Sequence, residues 1–288
     1  MPLPPRRVLL IDDDRGQARI VDAAFTKFSG ERFVLHWAAS YEDGLQALLE
    51  GGYAVCLLDY QLGPRDGLEL FREAVRRGVT TPVIFLTSET SGDVDTQALN
   101  AGAMDYLVKF ELSPRGLERS LRYTLRLHET LSELRRLATR DPLTALFNRR
   151  EGLRLLEAEV ERSRQHARIV SAILIDVDHF KSVNDTLGHA GGDRILVAVS
   201  EAIRANVRDG DSVVRWGGDE FAVWLPEADA VVARRCGEAV VAAVRRIGCT
   251  VSAGVAQWNA TRAEARDLLV AADRALYEAK AAGRNRVA

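Results

Sequence analysis

The sequence predicts an α/β protein built as two domains joined by a long helix. Three observations carry that expectation. In the first half, short aliphatic runs alternate with longer segments whose apolar residues fall at helical spacing. From Pro114 to about Arg140, Gly116 is the sole internal helix breaker. In the second half, short β-rich runs flank a Gly-Gly pair that is followed at once by two acids. A chain of 288 residues also suits about two domains.

Composition narrows the class. Hydrophobic residues at 47% and charged residues at 28% are ordinary globular values, which excludes disorder or a collagen-like fibre for the whole chain. With 39 Lys+Arg against 41 Asp+Glu the net charge is −2, so bulk electrostatic binding to nucleic acid or a membrane surface is not expected. No apolar run approaches the roughly 18–20 residues that cross a bilayer. The proline-bearing start, Met1 to Arg7, has no long apolar core behind it and does not read as a signal peptide. Cys56, Cys236 and Cys249 are an odd, widely spaced set. They fit small buried hydrophobes in a cytoplasmic protein better than a disulfide framework.

The first strand is expected at Val8–Ile11 and is stopped by Asp12-Asp13-Asp14; further runs follow at Phe33–Trp37, Ala54–Leu58, Val83–Leu86 and Ala103–Val108. Between them lie helical patterns such as Ile20, Ala23, Ala24 and Phe28. Strand then helix, five times over, predicts a doubly wound parallel sheet covered on both faces, with ligands beyond the carboxyl ends of its strands. Asp12 and Asp13, then Asp59, then Thr87 and Ser88, then Lys109 all fall at such ends. Converging carboxylates suit Mg²⁺ and phosphate oxygens, and a carboxylate there can be a nucleophile towards phosphorus. Taken singly, Asp12 to Asp14 could cap a helix, Asp59 could be a turn residue and Lys109 a solvated charge. In this order at strand ends, one pocket is the better reading.

On VLLIDDD, LLDYQLGPRDG, IFLTSE and GAMDYLVK, residues 6–125 resemble the response-regulator receiver family. The resemblance implies a flavodoxin-like fold in which Asp59 takes a phosphoryl group from a sensor histidine kinase. Asp12, Asp13, Asp59 and Gln61 would hold one Mg²⁺, and Thr87, Tyr106 and Lys109 would sense the phosphate. Two positions depart from the family pattern. Gly63 stands where a proline is usual, with Pro64 after it, and Phe110 stands where a proline usually follows the lysine. The first alters a loop and the second bears on the path of the next segment.

Leu117, Leu121, Thr124, His128, Leu131 and Ala138 fall near 3–4 spacing, flanked by further leucines. A dimeric coiled coil is expected, the alternative being one helix packed on its own domain. The arginines of this stretch read as a solvated face. Asp141-Pro142 breaks the helix. The expected divisions are 1–115, a helical linker over 116–140, and 141–288.

In the second half, Val170–Ile175 reads as a strand ending in Asp176-Val177-Asp178, followed by a helix with Phe180, Val183 and Leu187 on one side. Ser212–Arg215 and Phe221–Leu225 flank Trp216-Gly217-Gly218-Asp219-Glu220, a hairpin pattern whose glycines let backbone approach a phosphate. If the strands are neighbours, Asp176, Asp219 and Glu220 meet, and such a set can hold two divalent ions for nucleotidyl transfer. The tetrapeptide alone could be just a polar hairpin tip.

With RDPLTALFNRR, LIDVDHFKSVNDTLGHAGGDRIL, VVRWGGDEF, SAGVA and ADRALYEAKAAGRNRV in order, residues 139–288 resemble the diguanylate cyclase (GGDEF) family. The resemblance implies a palm-like α+β nucleotide cyclase fold that condenses two GTP into cyclic di-GMP and two pyrophosphates. Asp176, the carbonyl of Val177, Asp219 and Glu220 would bind two Mg²⁺, which Mn²⁺ could replace. Asp219 would be the general base and Glu220 would support the metal site. Gly217 and Gly218 would lie against the nucleotide. Asn184 and Asp193 would bind guanine with His189 nearby, and Lys280 and Arg284 the terminal phosphates. Ala145 stands where the family has glycine. Arg208 and Asp211 match an RxxD motif of feedback-inhibited members, and the arginine can reach guanine O6 and N7; otherwise they form a charged loop.

One GTP per domain requires two facing domains, hence a homodimer. Phosphorylation of Asp59 would shift a pre-existing equilibrium through the helix. Two other readings are a silent scaffold that binds cyclic di-GMP and a receiver that drains phosphate from a kinase.

Overall fold

The structure is a computed structural model describing residues 4–88, 102–166, 168–258 and 264–288. The helix expected between the fourth and fifth long strands falls on 89–101, outside the described residues, as do Met1–Leu3 and Glu89 of the IFLTSE run. The chain divides into two compact units, Met1–Leu134 and Arg135–Ala288.

In chain order the first unit contains β1 (Arg6–Ile11), α1 (Arg15–Phe25), β2 (Phe33–Ala38), α2 (Tyr41–Glu50), β3 (Val55–Asp59), β4 (Gln61–Leu62) and β5 (Arg65–Asp66). There follow α3 (Gly67–Arg76), β6 (Val83–Thr87), β7 (Asp105–Val108) and α4 (Pro114–Thr139). Five parallel strands make one sheet in the order β2-β1-β3-β6-β7. The order reverses between β1 and β3, which opens a crevice at their carboxyl ends. Period-two alternation divides the strand residues. Leu9, Ile11, Cys56, Leu58 and Phe85 pack with α2 and α3, and Val8, Leu10, Val55, Leu57, Ile84 and Leu86 pack with α1 and α4. Both faces are covered, so the strands read as continuous apolar runs.

Local sequence explains the joints. Of the three consecutive aspartates, Asp14 is the helix cap, accepting from Gly16 N at 2.7 Å, while Asp12 is buried. Gly63 has φ +60 in the two-residue loop between β4 and β5, a conformation closed to proline, so this departure from the family builds a hairpin. Lys109–Glu111 forms a 3-10 turn that leaves Phe110 exposed. Helix α4 then starts at Pro114, with Ser113 Oγ accepting from Gly116 N at 3.1 Å. Leu117, Leu121 and Leu125 of α4 are buried in the first unit's core, whereas Leu127, Leu131, Leu134 and Leu137 are exposed.

The second unit contains β8 (Phe147–Asn148), α5 (Arg149–His166), β9 (Val170–Val177), α6 (Phe180–Arg204), β10 (Ser212–Arg215) and β11 (Glu220–Pro226). It ends with α7 (Ala230–Arg246), β12 (Val251–Gln257) and α8 (Ala265–Ala281). The sheet order is β12-β9-β11-β10-β8, with β9 antiparallel to both of its neighbours. Ile173, Ile175, Phe221 and Val223 pack under α6 and α7. Ala172, Leu174, Ala222 and Trp224 pack under α5 and α8.

Ala145 has φ +56, a left-handed conformation costing a side chain about 1–2 kcal/mol. Its carbonyl accepts from Arg204 Nη2 at 2.9 Å, and its amide donates to Asp141 O at 2.9 Å. Ala145→Gly relieves the strain but loosens the unfolded chain. The expected net gain is about 1 kcal/mol, or about 3 °C in the melting temperature of this unit. A lowered melting temperature would show that the loop is not strained.

Candidate functional sites

The first site lies at the β1/β3 switch point. Asp12 directly follows β1, Asp59 ends β3 and Thr87 ends β6, and all three are buried. Asp13 is exposed at the mouth. The ligand oxygens of Asp12, Asp13 and Asp59 lie within 4.8 Å of one another, a hard-oxygen set that fits a divalent cation. Lys109 Nζ stands 2.9 Å from Asp12 Oδ2 and 2.8 Å from Asp59 Oδ2. Gln61 N donates to Asp59 Oδ1 at 3.4 Å. Gly67 is required beneath the site, because a Cβ there would fall 2.0 Å from Asp59 O. Asp13, Asp59, Gln61, Thr87 and Ser88 line a cleft of about 240 Å³. Tyr106 sits beyond it on β7, partly buried against the α2–α3 side of the core.

Burial pushes Asp59 up to about 6, with Lys109 opposing and Asp12 adding to the rise. Burial also raises Asp12, against hydrogen bonds from Lys109 and the Asp14 amide. Burial alone would lower Lys109; its two carboxylate partners outweigh that and raise it.

The second site is set by register. Asp176, near the end of β9, lies directly opposite Glu220 of β11 on one side and Ser252 of β12 on the other. Directly opposed residues present their side chains on one face of a sheet. Val177 N donates to Asp219 O at 3.1 Å, which ties the hairpin turn to β9. Within the turn, Trp216 N and Gly217 N donate to Glu220 O at 2.8 and 3.2 Å. A Cβ on Gly217 would fall 2.6 Å from Glu220 Oε2, whereas Gly218 is open to solvent and has nothing within 4 Å of that position.

Two residues to which the sequence reading gave no part in the site, Asp141 and Arg215, brace this turn. Arg215 Nη2 donates to Gly218 O at 2.8 Å, and its Nη1 donates to both Asp141 oxygens at 3.0 and 3.2 Å. Asp141 also accepts from Thr144 N and Oγ1 at 2.9 and 2.8 Å. Burial opposes ionisation of Asp141, but these hydrogen bonds outweigh it and hold its carboxyl below the usual range. Both residues stand inside the RDPLT and VVRWGGDEF runs, and only the fold pairs them.

Lys280 Nζ lies 2.8 Å from Asp176 Oδ2. Burial raises Asp176, with Lys280 opposing and Asp219 and Asp178 adding to the rise. Burial, Asp176 and Asp219 raise Glu220. Asp176, Asp219 and Glu220, the residues expected to meet, lie together where β9 faces β11. They share one electrostatic field, but the sole carboxylate triplet within 4.8 Å among the described residues is Asp12, Asp13 and Asp59. Asp219 belongs to the turn rather than to a paired strand, and an ammonium already sits on Asp176. Carboxylates around a cation-occupied position still fit a divalent ion chemically.

Helix α6 begins after His179 and kinks at Gly188 (φ 69, ψ 168). A Cβ on Gly192 would fall 2.0 Å from Asn184 Oδ1, so the glycine lets the second half of α6 close on Asn184. Asn184 is half-buried, and His189 and Asp193 are exposed beyond it. Arg284 is exposed after α8 with φ +57. Away from this cluster, Arg208 N donates to Asp211 Oδ2 at 2.9 Å, while the exposed Arg208 guanidinium is 3.6 Å from Asp211 Oδ1. No helix among the described residues is long and apolar enough to cross a membrane.

Comparison with known proteins covers both units. The model of the diguanylate cyclase GGDEF domain matches residues 138–286, and that of the response regulator receiver domain matches 8–121. The response regulator PleD of Caulobacter vibrioides is 34% identical over 98% of this chain and 65% of its own length. A probable diguanylate cyclase, DgcC of Escherichia coli, is 38% identical over 56% of this chain and 46% of its own length. The chain thus spans about half to two thirds of these relatives. Among solved structures, the coiled coil and GGDEF domain of DgcB from Caulobacter crescentus in complex with c-di-GMP matches with TM-score 0.56 and 30% identity. That match covers 60% of this chain and 96% of that one.

Proposed function

Since the chain belongs to the diguanylate cyclase GGDEF family and carries a response-regulator receiver domain ahead of it, we propose that it is a phosphorylation-controlled diguanylate cyclase acting in the cytoplasm. Its reaction joins two GTP into cyclic di-GMP and releases two pyrophosphates. The observation that carries this reading is the register of Asp176 with Glu220, with Asp219 tied to Val177 beside them.

In this reading Asp219 takes the proton of one ribose 3′-hydroxyl, whose oxygen attacks the α-phosphate of the other GTP as pyrophosphate leaves. Asp176, the Val177 carbonyl, Asp219 and Glu220 would hold two Mg²⁺, or Mn²⁺ in their place. Bound there, the cations offset charge on the triphosphate. Gly218 leaves its backbone open to the nucleotide. Asn184 and Asp193 select guanine beside His189, and Lys280 and Arg284 neutralise the terminal phosphates. Product bound at Arg208 and Asp211 limits the reaction.

Residues 1–115 act as the receiver, 116–140 as the helical linker and 141–288 as the cyclase. A sensor histidine kinase supplies the phosphoryl group to Asp59. Asp12, Asp13, Asp59 and Gln61 hold one Mg²⁺, and Thr87, Tyr106 and Lys109 respond to the phosphate. The exposed Leu127, Leu131, Leu134 and Leu137 give two copies of α4 an apolar stripe on which to pair, so that phosphorylation changes how two cyclase domains face each other.

The test measures cyclic di-GMP from GTP and Mg²⁺ by the purified chain, with and without beryllofluoride, alongside Asp219→Ala. Product that rises with beryllofluoride and vanishes in the variant is expected. Well-folded protein that binds cyclic di-GMP tightly and makes none would be a scaffold instead. The guanine assignment has its own check. Gly192→Ala drives a methyl into Asn184 Oδ1, so the amide must turn aside, and loss of a hydrogen bond of about 1.5 kcal/mol should raise KM for GTP about tenfold. An unchanged KM would remove Asn184 from the guanine contact.

A further inference from the structure

Asp178 is a buried carboxylate outside the set of residues that bind metal, guanine or phosphate in the proposed reaction. It is 5% exposed. Oδ1 accepts from Ser252 Oγ at 2.7 Å, and Oδ2 accepts from the backbone amide of Asn285 at 3.1 Å. Its own amide donates to Thr250 O at 2.9 Å. Ser252 is the register partner of Asp176, so the carboxylate of Asp178 is anchored beside the proposed metal strand at one end and to the C-terminal turn at the other.

That turn needs an anchor. Gly283, Arg284 and Asn285 have φ of +105, +57 and +51. Glycine is at ease there, but the other two are side-chain residues in the left-handed region, strained and persistent only where their surroundings over-determine them. The surroundings are visible. Arg284 N donates to Ala279 O at 3.1 Å, Arg245 Nη2 holds Asn285 Oδ1 at 3.1 Å, and Arg286 O accepts from Ala253 N at 2.9 Å. Of these anchors Asp178 is the one that directly follows β9, the strand that carries Asp176. Lys280, one turn earlier on α8, reaches Asp176 directly. Arg284 has no such contact, and its place is set by the backbone of the turn.

We propose that Asp178 is a positioning residue that holds the left-handed Gly283–Asn285 turn against β9 and so fixes where Arg284 meets the terminal phosphates of GTP. The proposal rests on the phosphate role given to Arg284 above. It requires the two hydrogen bonds of Asp178, to Ser252 and to Asn285, and not its charge. An asparagine can keep one of these partners with Oδ1 accepting from Asn285 N, and the other by a bond of reversed direction, Nδ2 donating to Ser252 Oγ, which can accept as well as donate.

The experiment measures binding of a non-hydrolysable GTP analogue and of GMP to the full chain, and KM and kcat from initial rates. The variants are Asp178→Ala, Asp178→Asn, Arg284→Ala and the Asp178→Ala/Arg284→Ala double variant. Loss of a charge-assisted phosphate contact weakens binding about tenfold to hundredfold. Asp178→Ala should therefore raise KM and weaken the GTP analogue by that factor, leave GMP affinity unchanged, and add nothing to Arg284→Ala. Asp178→Asn should stay within about threefold of the parent protein. Ser252→Ala, which removes one partner and keeps the carboxylate, should move GTP affinity the same way by a smaller factor, and serves if Asp178→Ala does not fold. Equal losses in Asp178→Ala and Asp178→Asn, additivity with Arg284→Ala, or a fall in kcat at constant KM would each overturn the proposal. If GTP binds with this pattern and no cyclic product forms, the cyclase reading fails and the positioning role stands. If Arg284→Ala leaves GTP binding unchanged, the phosphate role fails and this inference with it.

Discussion

Asp176→Asn is expected to lower kcat/KM for cyclic di-GMP synthesis by about a thousandfold or more while leaving the second unit as stable as before, or more so. The loss follows from what asparagine cannot do. It fits the same space on β9 opposite Glu220, but it carries no charge, and a metal-assisted transfer depends on anionic ligands placed where charge develops. The stability follows from the acid–base state. Burial raises the Asp176 carboxyl, and Lys280 only partly offsets it. A carboxyl raised in the folded state adds stability below its unfolded value and loses it as pH rises through the folded one. The ionised carboxylate of the metal-free protein is thus a local liability, and the neutral amide removes it. Activity loss through misfolding would move both quantities down together. Rates measured beside thermal melts in EDTA separate the two, and activity within tenfold of the parent protein would take Asp176 out of the site.

The strand ends were legible because burial on both sheet faces makes each strand an unbroken apolar run, and the first polar residue after it is where the crevice begins. Asp12, Asp59 and Thr87 were found this way, and all are buried. The same reasoning could not divide labour inside Asp12-Asp13-Asp14. Capping by Asp14 and burial of Asp12 depend on where the strand twist carries each side chain. In the second unit the GGDE turn was plain, but its brace was not. Asp141 and Arg215 are far apart in sequence, and only the packing of the segment before β8 brings them together. The Lys280 contact with Asp176 and the Asp178 contact with Asn285 have the same origin. Local pattern names residues that end elements, and tertiary register chooses their partners. The helix shows the limit from the other side: a stripe of leucines in α4 is buried up to Leu125 and exposed from Leu127, with no change in periodicity to mark the transition.

Asp59→Asn is expected to stabilise the metal-free first unit at pH 8 by up to about 3 kcal/mol and to abolish the response to beryllofluoride. The magnitude comes from the carboxyl, pushed up to about 6 against an ordinary 3.8, at about 1.4 kcal/mol for each pH unit of difference. The sign follows from linkage. The folded state binds the Asp59 proton more tightly than the unfolded chain does, so the contribution is fully present below about pH 4 and is lost as pH rises through about 6. At pH 8 the folded unit therefore holds an ionised carboxylate beside the equally buried Asp12, with Lys109 shared between them. The amide removes that repulsion and leaves Lys109 to Asp12. Near pH 4.5 the gain should shrink towards zero, because Asp59 is already protonated in the parent protein. Mg²⁺ should reverse the order at pH 8, since a ligand that binds only the folded state stabilises it by mass action and three carboxylates hold a divalent ion better than two. Urea melts of both proteins at the two pH values, in EDTA and in Mg²⁺, read all four quantities. An Asp59→Asn protein less stable than its parent at pH 8 in EDTA would mean that Lys109 outweighs burial, and that the site is a closed salt-bridge cluster rather than one built to receive a cation and a phosphoryl group.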